Sequence, residues 1–537
     1  MNFLTSVQNF KNYTKLINNL FCAVLILFLL QLPDFIFSKI NENYLFTFDI
    51  KDKVMIAFAV LMSFLTYTQK KILFIFFYIL IMLEICYFNY FGNLIAPFDI
   101  LLFFHNTFEI IDALQDLLLK LSIPILIIIV SLFISLKIIK YCDKIAVSKY
   151  NKSIFIFIIS VLLIMPLIVA YQINIKHKEV PGRNPKLYTS SIKNMINVLD
   201  YFIAVTLPNS LSDKIPIKEF PKLNKISSPD VNIIFIIGES FRAKNAYLLG
   251  YNKENMPKLK QQHITIKKCI SIGVMTKVSM GYMLNGASSL EEYSKIFTHD
   301  FSIFKLAKQN GFHTTFITAQ PSVSFKYIKN LIDEKNIDNF KTPKYFYHSQ
   351  FSSLNDAKLI SLLKQINLNK QKNLIVFQMN GSHFPYSNKS PKDFKKFKSE
   401  YDNSILYTDY VLSKIIDYIK KIKKPTFFFF VSDHGELLGE YGQRGHGRLK
   451  KEVYEVPFIY YSNASNDKIT DFLTKQKIIY QADIIKLIDY LLGYDVNITP
   501  NNHRKVQVIG RDLAGHVGYK IIDINNNIIK ESKTLYK

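Results

Sequence analysis

Cysteine is scarce in this chain, with four residues in 537. Cys22, Cys86 and Cys142 lie in or beside long apolar runs, which leaves Cys269 alone in the polar remainder. No intrachain disulfide is available to that remainder, and a structural zinc site of four cysteines or of mixed Cys and His is excluded. Arginine is absent from residues 1–171, which hold 13 lysines against 10 acidic residues. No internal repeat and no long low-complexity tract is present, so solenoid and compositionally biased classes are set aside. A cleaved signal is excluded too, because the first apolar run is long, lacks a small-residue cleavage site and is followed by four more.

What is present is uneven. Residues 1–171 are apolar and close to neutral, whereas most of the net charge of +25 lies beyond them. Five apolar runs stand out: Leu16–Phe37, Val54–Thr68, Ile72–Phe91, Leu121–Ile139 and Ile154–Tyr171. A bilayer core takes about 20 apolar residues per helix, so each run is read as a membrane span, the second and fifth near the lower limit. Lys11 and Lys15 precede the first run, Lys70 and Lys71 join the second to the third, and Lys140, Lys144, Lys149 and Lys152 join the fourth to the fifth. That lysine bias orients the N-terminus to the cytoplasm, and five crossings place everything after Tyr171 outside it.

Between the third and fourth spans, LLFFHNTFEIIDALQDLLLK has helical apolar spacing and predicts an interfacial amphipathic helix. Residues 172–230 read as a connector with an amphipathic piece near Ile192–Val205 that would lie on the membrane surface. From Val231 onward strand and helix patterns alternate. Strands are expected at Val231–Ile237, Thr314–Thr318, Leu374–Met379, Thr426–Val431 and Pro457–Tyr461, with helices such as Phe301–Gln309 and Asn403–Ile422 between them. The alternation predicts a doubly wound α/β domain with a largely parallel sheet. The expected domains are 1–171 in the membrane, 172–230 as connector and 231–537 outside.

Chemistry collects beyond the carboxyl ends of strands in such sheets. VNIIFIIG runs into Glu239 and Ser240, NLIVFQMN into Gly381, Ser382 and His383, and FFFFVS into Asp433 and His434, with His446 following in a Gly-rich loop. Any one of these side chains alone reads as a cap or turn residue. Three strand ends delivering Glu, His and Asp-His to one sheet edge instead suggest oxygen and nitrogen ligands for a borderline metal such as zinc. In SIGVMTKVSMGYML a loop enters a helix near Thr276. A hydroxyl there, beside a metal ion, would have its alkoxide favoured by both the ion and the helix dipole. The competing assignment is a plain helix-capping threonine.

The segments VNIIFIIGESFRAKNAYLLGYNKENMPKL, GVMTKVS, GSHFPY and SDHGELLGEYGQRGHG resemble the membrane-bound phosphoethanolamine transferases of bacterial envelopes, within the alkaline phosphatase and sulfatase superfamily. The resemblance implies five transmembrane helices followed by an α/β/α alkaline-phosphatase-like domain. It places Glu239, Thr276, Asp433 and His434 on the zinc-binding positions, with Thr276 also the nucleophile. His383 and His446 match histidines that hold substrate, assist proton transfer or bind further zinc, and Glu109 matches a glutamate of the lipid-headgroup site. Two departures are visible: Ile272 and Tyr282 stand where many relatives carry disulfide cysteines, and His105 stands where relatives have a threonine. No Cys/Ser-x-Pro-x-Arg setting surrounds Thr276, which sets sulfatase chemistry aside.

The implied reaction is zinc-dependent transfer of phosphoethanolamine from phosphatidylethanolamine, releasing diacylglycerol. The expected acceptor is an anionic envelope glycolipid such as lipid A or a lipopolysaccharide core sugar. The expected location is the bacterial inner membrane, with the catalytic domain in the periplasm. The basic excess suits glycolipid phosphates, and no nucleic-acid partner is expected. Two alternatives are a phosphoglycerol transferase of the same superfamily and a catalytically silent, membrane-anchored lipid-binding relative.

Overall fold

A computed structural model describes residues 2–48, 52–105, 107–145, 150–174, 190–206, 218–325, 328–513, 515, 518–523 and 527–532. The first part is helical: α1 (Asn2–Ile40), α2 (Lys53–Ser63), α3 (Tyr67–Phe91), α4 (Pro97–His105), α5 (Thr107–Ile145), α6 (Asn151–Asn174) and α7 (Ser191–Tyr201). Among the described residues, four stretches are long and apolar enough to cross a bilayer: Tyr13–Ile40, Tyr67–Phe91, Lys120–Ile145 and Asn151–Ile168.

The remaining expected span, Val54–Thr68, is shorter as a helix than its apolar run. Helix α2 has 11 residues and rises only about 16 Å, against about 30 Å of hydrocarbon. It stops because Thr66 and Gln69 form a capping box that starts α3. Ahead of α2, Phe48 packs on Phe28 and Phe35 of α1 (centroids 5.3 and 5.2 Å), so a non-helical aromatic stretch runs back along α1. The expected interfacial helix is also redrawn. Its residues divide between α4 and the first turns of α5, a 39-residue helix that runs on through Pro124 into the fourth span. No glycine or cap interrupts DALQDLLLKLS, which is why the two merge. The side chains of residues 104–116 lie outside the described residues.

Helix α7 is amphipathic, as the pattern predicts, and its buried face packs against α1 and α3. Ser191 hydrogen-bonds the buried Asp34 of α1, and Asn194 donates to Glu84 of α3 at 2.9 Å. These buried carboxylates need partners in an apolar surround, and α7 supplies the polar groups.

The second part is built on an eight-stranded sheet. Its strands are β1 (Asn232–Gly238), β2 (Thr265–Ile270), β3 (His313–Thr318), β4 (Asn339–Lys341), β5 (Asn373–Gln378), β6 (Thr426–Ser432), β9 (Glu455–Ser462) and β10 (Ile479–Tyr480), in the order β10-β2-β9-β6-β1-β5-β3-β4. Two short strands, β7 (Leu437–Leu438) and β8 (Arg444–Gly445), form a separate hairpin. Pairing is parallel throughout the block β6-β1-β5-β3-β4, while β9 runs antiparallel to β6 and β2.

Alternation along β1 splits the core. Ile233, Phe235 and Ile237 face the helices Thr276–Leu284, Ile303–Gln309 and Gln481–Leu491. Ile234 and Ile236 face Lys358–Gln365 and Glu400–Ile419. This is a three-layer α/β/α sandwich, buried on both faces as a parallel sheet requires. A three-stranded antiparallel sheet, β11 (Lys505–Ile509), β12 (Tyr519–Asp523) and β13 (Ile528–Glu531), closes one side. Its Ile509 exchanges hydrogen bonds with Ile272 and Val274 and so clamps the loop leading to Thr276.

Candidate active site

The central strands β5, β1 and β6 are in parallel register, so their carboxyl ends open on one edge. Glu239 leaves β1 there, His383 follows β5, and Asp433 and His434 follow β6. One Oδ1 atom of Asp433 accepts from the backbone N–H groups of His434 (2.7 Å) and Ser240 (3.2 Å). Its Oδ2 is buried and has no hydrogen-bond partner. The Nδ1 of His434 faces the Gly435 carbonyl at 2.9 Å, and donation there leaves Nε2 with its lone pair turned inward. That Nε2 stands 3.4 Å from Asp433 Oδ2 and 3.5 Å from Glu239 Oε1.

Thr276 completes the group from a different layer. The helix Thr276–Leu284 begins at this residue, and the capping position belongs to Met275. The hydroxyl is therefore not spent as a cap. It lies 3.1 Å from Glu239 Oε2 and 3.2 Å from His434 Nε2. Within the described residues, Glu239, Asp433 and His434 bring one ligand atom each to within 4.8 Å of one another, all three buried. An orphaned carboxylate oxygen, a second buried carboxylate and an imidazole lone pair, all converging, fit a divalent cation of the zinc type.

The electrostatics agree with a site short of positive charge. Burial pushes Asp433 well above the usual carboxylate range, and the charge of Glu239 beside it pushes the same way. Burial would raise Glu239 also, but His434, His383 and His446 whenever they carry charge, together with the Ser240 hydroxyl that donates to Oε1, hold this carboxyl low. Burial pushes His434 and His446 down, so both favour the neutral ring. His446 stacks on His434 with centroids 4.5 Å apart, and His383 lies 6.1 Å from His446. Of the residues singled out in the sequence, Glu239, Thr276, His383, Asp433, His434 and His446 come together. Glu109 falls in α5, and its side chain lies outside the described residues.

Several supporting residues carry no signal in the sequence. Gln320, just past β3, donates to Glu239 Oε2 at 2.7 Å and so orients that carboxylate. Gln481 donates to the carbonyls of Ser432 and Asp433 (both 2.8 Å) while accepting from Ile272 N–H (2.7 Å), which ties the β6 end to the Thr276 loop. Gly381, at φ 51°, passes so close that a Cβ would meet Glu239 N and O at 2.9 Å. Asp356 pins the same turn by accepting from Asn380 and Gly381 N–H groups, and burial lifts its pKa to about 6. Ile272 and Tyr282 are both buried, and the Tyr282 hydroxyl donates to Leu513 O at 2.6 Å.

Comparison with known proteins follows this geometry. Residues 231–494 match the family model described as Sulfatase. These residues form a sulfatase-family domain. Its curated relatives include the phosphoethanolamine transferase EptA of Helicobacter pylori, 30% identical over 43% of this chain and 47% of that protein. Another is the Kdo(2)-lipid A phosphoethanolamine 7''-transferase of Escherichia coli, 27% identical over 45% of this chain and 46% of that protein. The match therefore spans about half the length of these curated relatives.

Beyond the sulfatase-family domain, the integral membrane lipooligosaccharide phosphoethanolamine transferase A of Neisseria meningitidis shares the fold over nearly the whole length. It covers 89% of this chain and 95% of its own, at a TM-score of 0.57 and 14% identity. The expected architecture, an apolar helical part followed by an alkaline-phosphatase-like domain, is borne out. So is the resemblance to phosphoethanolamine transferases read from the motifs.

Proposed function

We propose that this protein moves phosphoethanolamine from phosphatidylethanolamine to an envelope glycolipid of the lipid A or lipopolysaccharide-core type, with Thr276 as the nucleophile. The observation that carries the proposal is the Thr276 hydroxyl: freed from capping, it sits within 3.2 Å of both a buried carboxylate and an imidazole nitrogen. The names of the curated relatives, both phosphoethanolamine transferases, support phosphoethanolamine as the transferred group.

In this reading Thr276 Oγ1 attacks the donor phosphorus, and the bond from phosphorus to the glycerol oxygen breaks. Diacylglycerol leaves as an alcohol once that oxygen is protonated, and phosphoethanolamine stays on Thr276. His383 and His446 flank the site and are the groups placed to take the Thr276 proton as the hydroxyl attacks and pass it to that oxygen, then to take one from the acceptor and return it to Thr276 Oγ1. Acceptor attack on the same phosphorus then restores the Thr276 hydroxyl, so the kinetics are ping-pong. Glu239, Asp433, His434 and Thr276 are the residues that would hold zinc, which when bound supplies a Lewis acid for the phosphate and favours the Thr276 alkoxide. Gln320 holds Glu239 in place, and Gln481 keeps the Thr276 loop against the β6 end. The apolar helices keep the site at the lipid surface of the inner membrane, on its periplasmic side.

The test uses the full-length protein in vesicles holding lipid A and either phosphatidylethanolamine or phosphatidylglycerol, each labelled in the headgroup. Label should reach the acceptor from phosphatidylethanolamine alone. Label from phosphatidylglycerol would make it a phosphoglycerol transferase, and label from neither would make it a silent relative.

A further inference from the structure

The loop that carries His446 rests on the membrane helices at several independent points. Gly92 caps α3 in the left-handed region at φ 70°, and a Cβ on it would lie 1.8 Å from the carbonyl oxygen of Gly442. Asn43, from the α1–α2 connection, also borders Gly442, and a Cβ on that glycine would lie 3.4 Å from Asn43 Nδ2. The Phe91 ring lies against Gly445, where a Cβ would come within 3.2 Å of it, and Gln443 donates to Asn93 at 2.9 Å. On the far side of His446, Arg511 Nε donates to the Gly447 carbonyl at 3.0 Å. The guanidinium of Arg511 also forms an ion pair with Asp99 of α4, and both partners are buried. Tyr87 of α3 joins the same pair. Gly447 N–H donates to Val274 O, two residues from Thr276.

We infer that docking onto the membrane helices positions His446, with Gly92, Asp99 and Arg511 as positioning residues outside the chemistry. The inference rests on the proposed reaction for its catalytic part only. The physical argument is one of freedom. Residues 439–447 contain four glycines at positive φ: Gly439, Gly442, Gly445 and Gly447. Such a loop loses more conformational entropy on ordering than most. Within its own domain the β7–β8 pairing and the Arg242–Glu440 ion pair order part of it, and Asn43, Phe91, Gly92 and Asn93 are the partners that the membrane helices and their connections add upstream of His446. The metal-binding group needs none of the Asn43, Phe91, Gly92 and Asn93 contacts, because Glu239, Asp433 and His434 are held by the sheet and the Thr276 loop is held by Ile509 and Gln481. Undocking should therefore leave metal binding intact and misplace only the histidine, and a shift of about 1 Å in a positioned group can cost 10²-fold in rate.

The experiment compares full-length wild type, Gly92→Ala, Arg511→Lys and Asn93→Ala in phosphatidylethanolamine vesicles. Three readouts are taken on each protein: zinc content, hydrogen exchange of the peptide containing residues 439–449, and transfer kinetics. The expected result for Gly92→Ala is full zinc content, faster exchange in that peptide, and kcat lowered about tenfold or more with the donor KM nearly unchanged. Arg511→Lys and Asn93→Ala, which add no steric clash, should give smaller changes in the same direction. Unchanged exchange in all three variants overturns the inference, and so does faster exchange with an unchanged kcat. If the wild type transfers nothing, the proposed function fails, and exchange alone still decides whether the loop is held by docking.

Discussion

His434 and Thr276 meet across two layers of the sandwich, Nε2 to Oγ1 at 3.2 Å, although 158 residues separate them in the chain. The contact exists because β6 delivers the imidazole to the sheet edge while the helix Thr276–Leu284 points its first residue at the same edge. Neither group is spent elsewhere: Nδ1 of His434 takes the Gly435 carbonyl, and Met275 occupies the capping position.

Replacing Asp433 with Asn should strip the metal while leaving the fold, since Asn keeps one acceptor for the two backbone N–H groups that now reach Oδ1. Zinc content of the purified full-length protein should fall to near background by elemental analysis. Retention of wild-type zinc would mean that the ligands are misassigned.

Gln320→Ala should weaken the metal without touching a ligand. Loss of the 2.7 Å bond to Glu239 frees that carboxylate to rotate, and outer partners of this kind are worth about 10–100-fold in metal affinity or activity. Competition with a chelator measures it.

The strands bordering this site were readable because each is a short apolar run ending in glycine or polar residues. The same logic misses β2, where the adjacent Lys267 and Lys268 break the apolar run of TIKKCI, and β10, which has two residues. Gln320 and Gln481 were not readable at all. An amide has no motif, and its role follows only from strand ends being brought side by side. The short α2 is a different case, because Thr66-x-x-Gln69 is a capping signature inside an apolar run that outweighed it. The docking of glycine on glycine at Gly92 and Gly442 depends on two loops 350 residues apart and leaves no local trace.

Asp489 gives a pH prediction. Burial raises its pKa to about 8, and its Oδ1 has no hydrogen-bond partner. Its folded pKa therefore lies above the unfolded value of 3.8, so the native state holds the extra proton between those values. Stability then falls as pH rises from about 4 to about 8. Asp489→Asn removes that dependence. Its melting temperature should match wild type near pH 4 and exceed it by several degrees at pH 8. Parallel melting curves across that range would contradict the assignment.

Topology is open to a direct check. A reporter active only outside the cytoplasm should work when fused after Lys225 and fail when fused after Lys144. The opposite pattern would overturn the orientation, and the placement of the site outside the cytoplasm with it.

The central claim is the covalent role of Thr276. Full-length protein incubated with phosphatidylethanolamine and no acceptor should carry one phosphoethanolamine on the tryptic peptide Cys269–Lys277, read by mass spectrometry. Thr276→Ala should show no adduct and no transfer while keeping its melting temperature, since the hydroxyl caps nothing, and Thr276→Ser should retain part of both. An unmodified wild-type peptide alongside active transfer, or wild-type transfer by Thr276→Ala, would contradict the account.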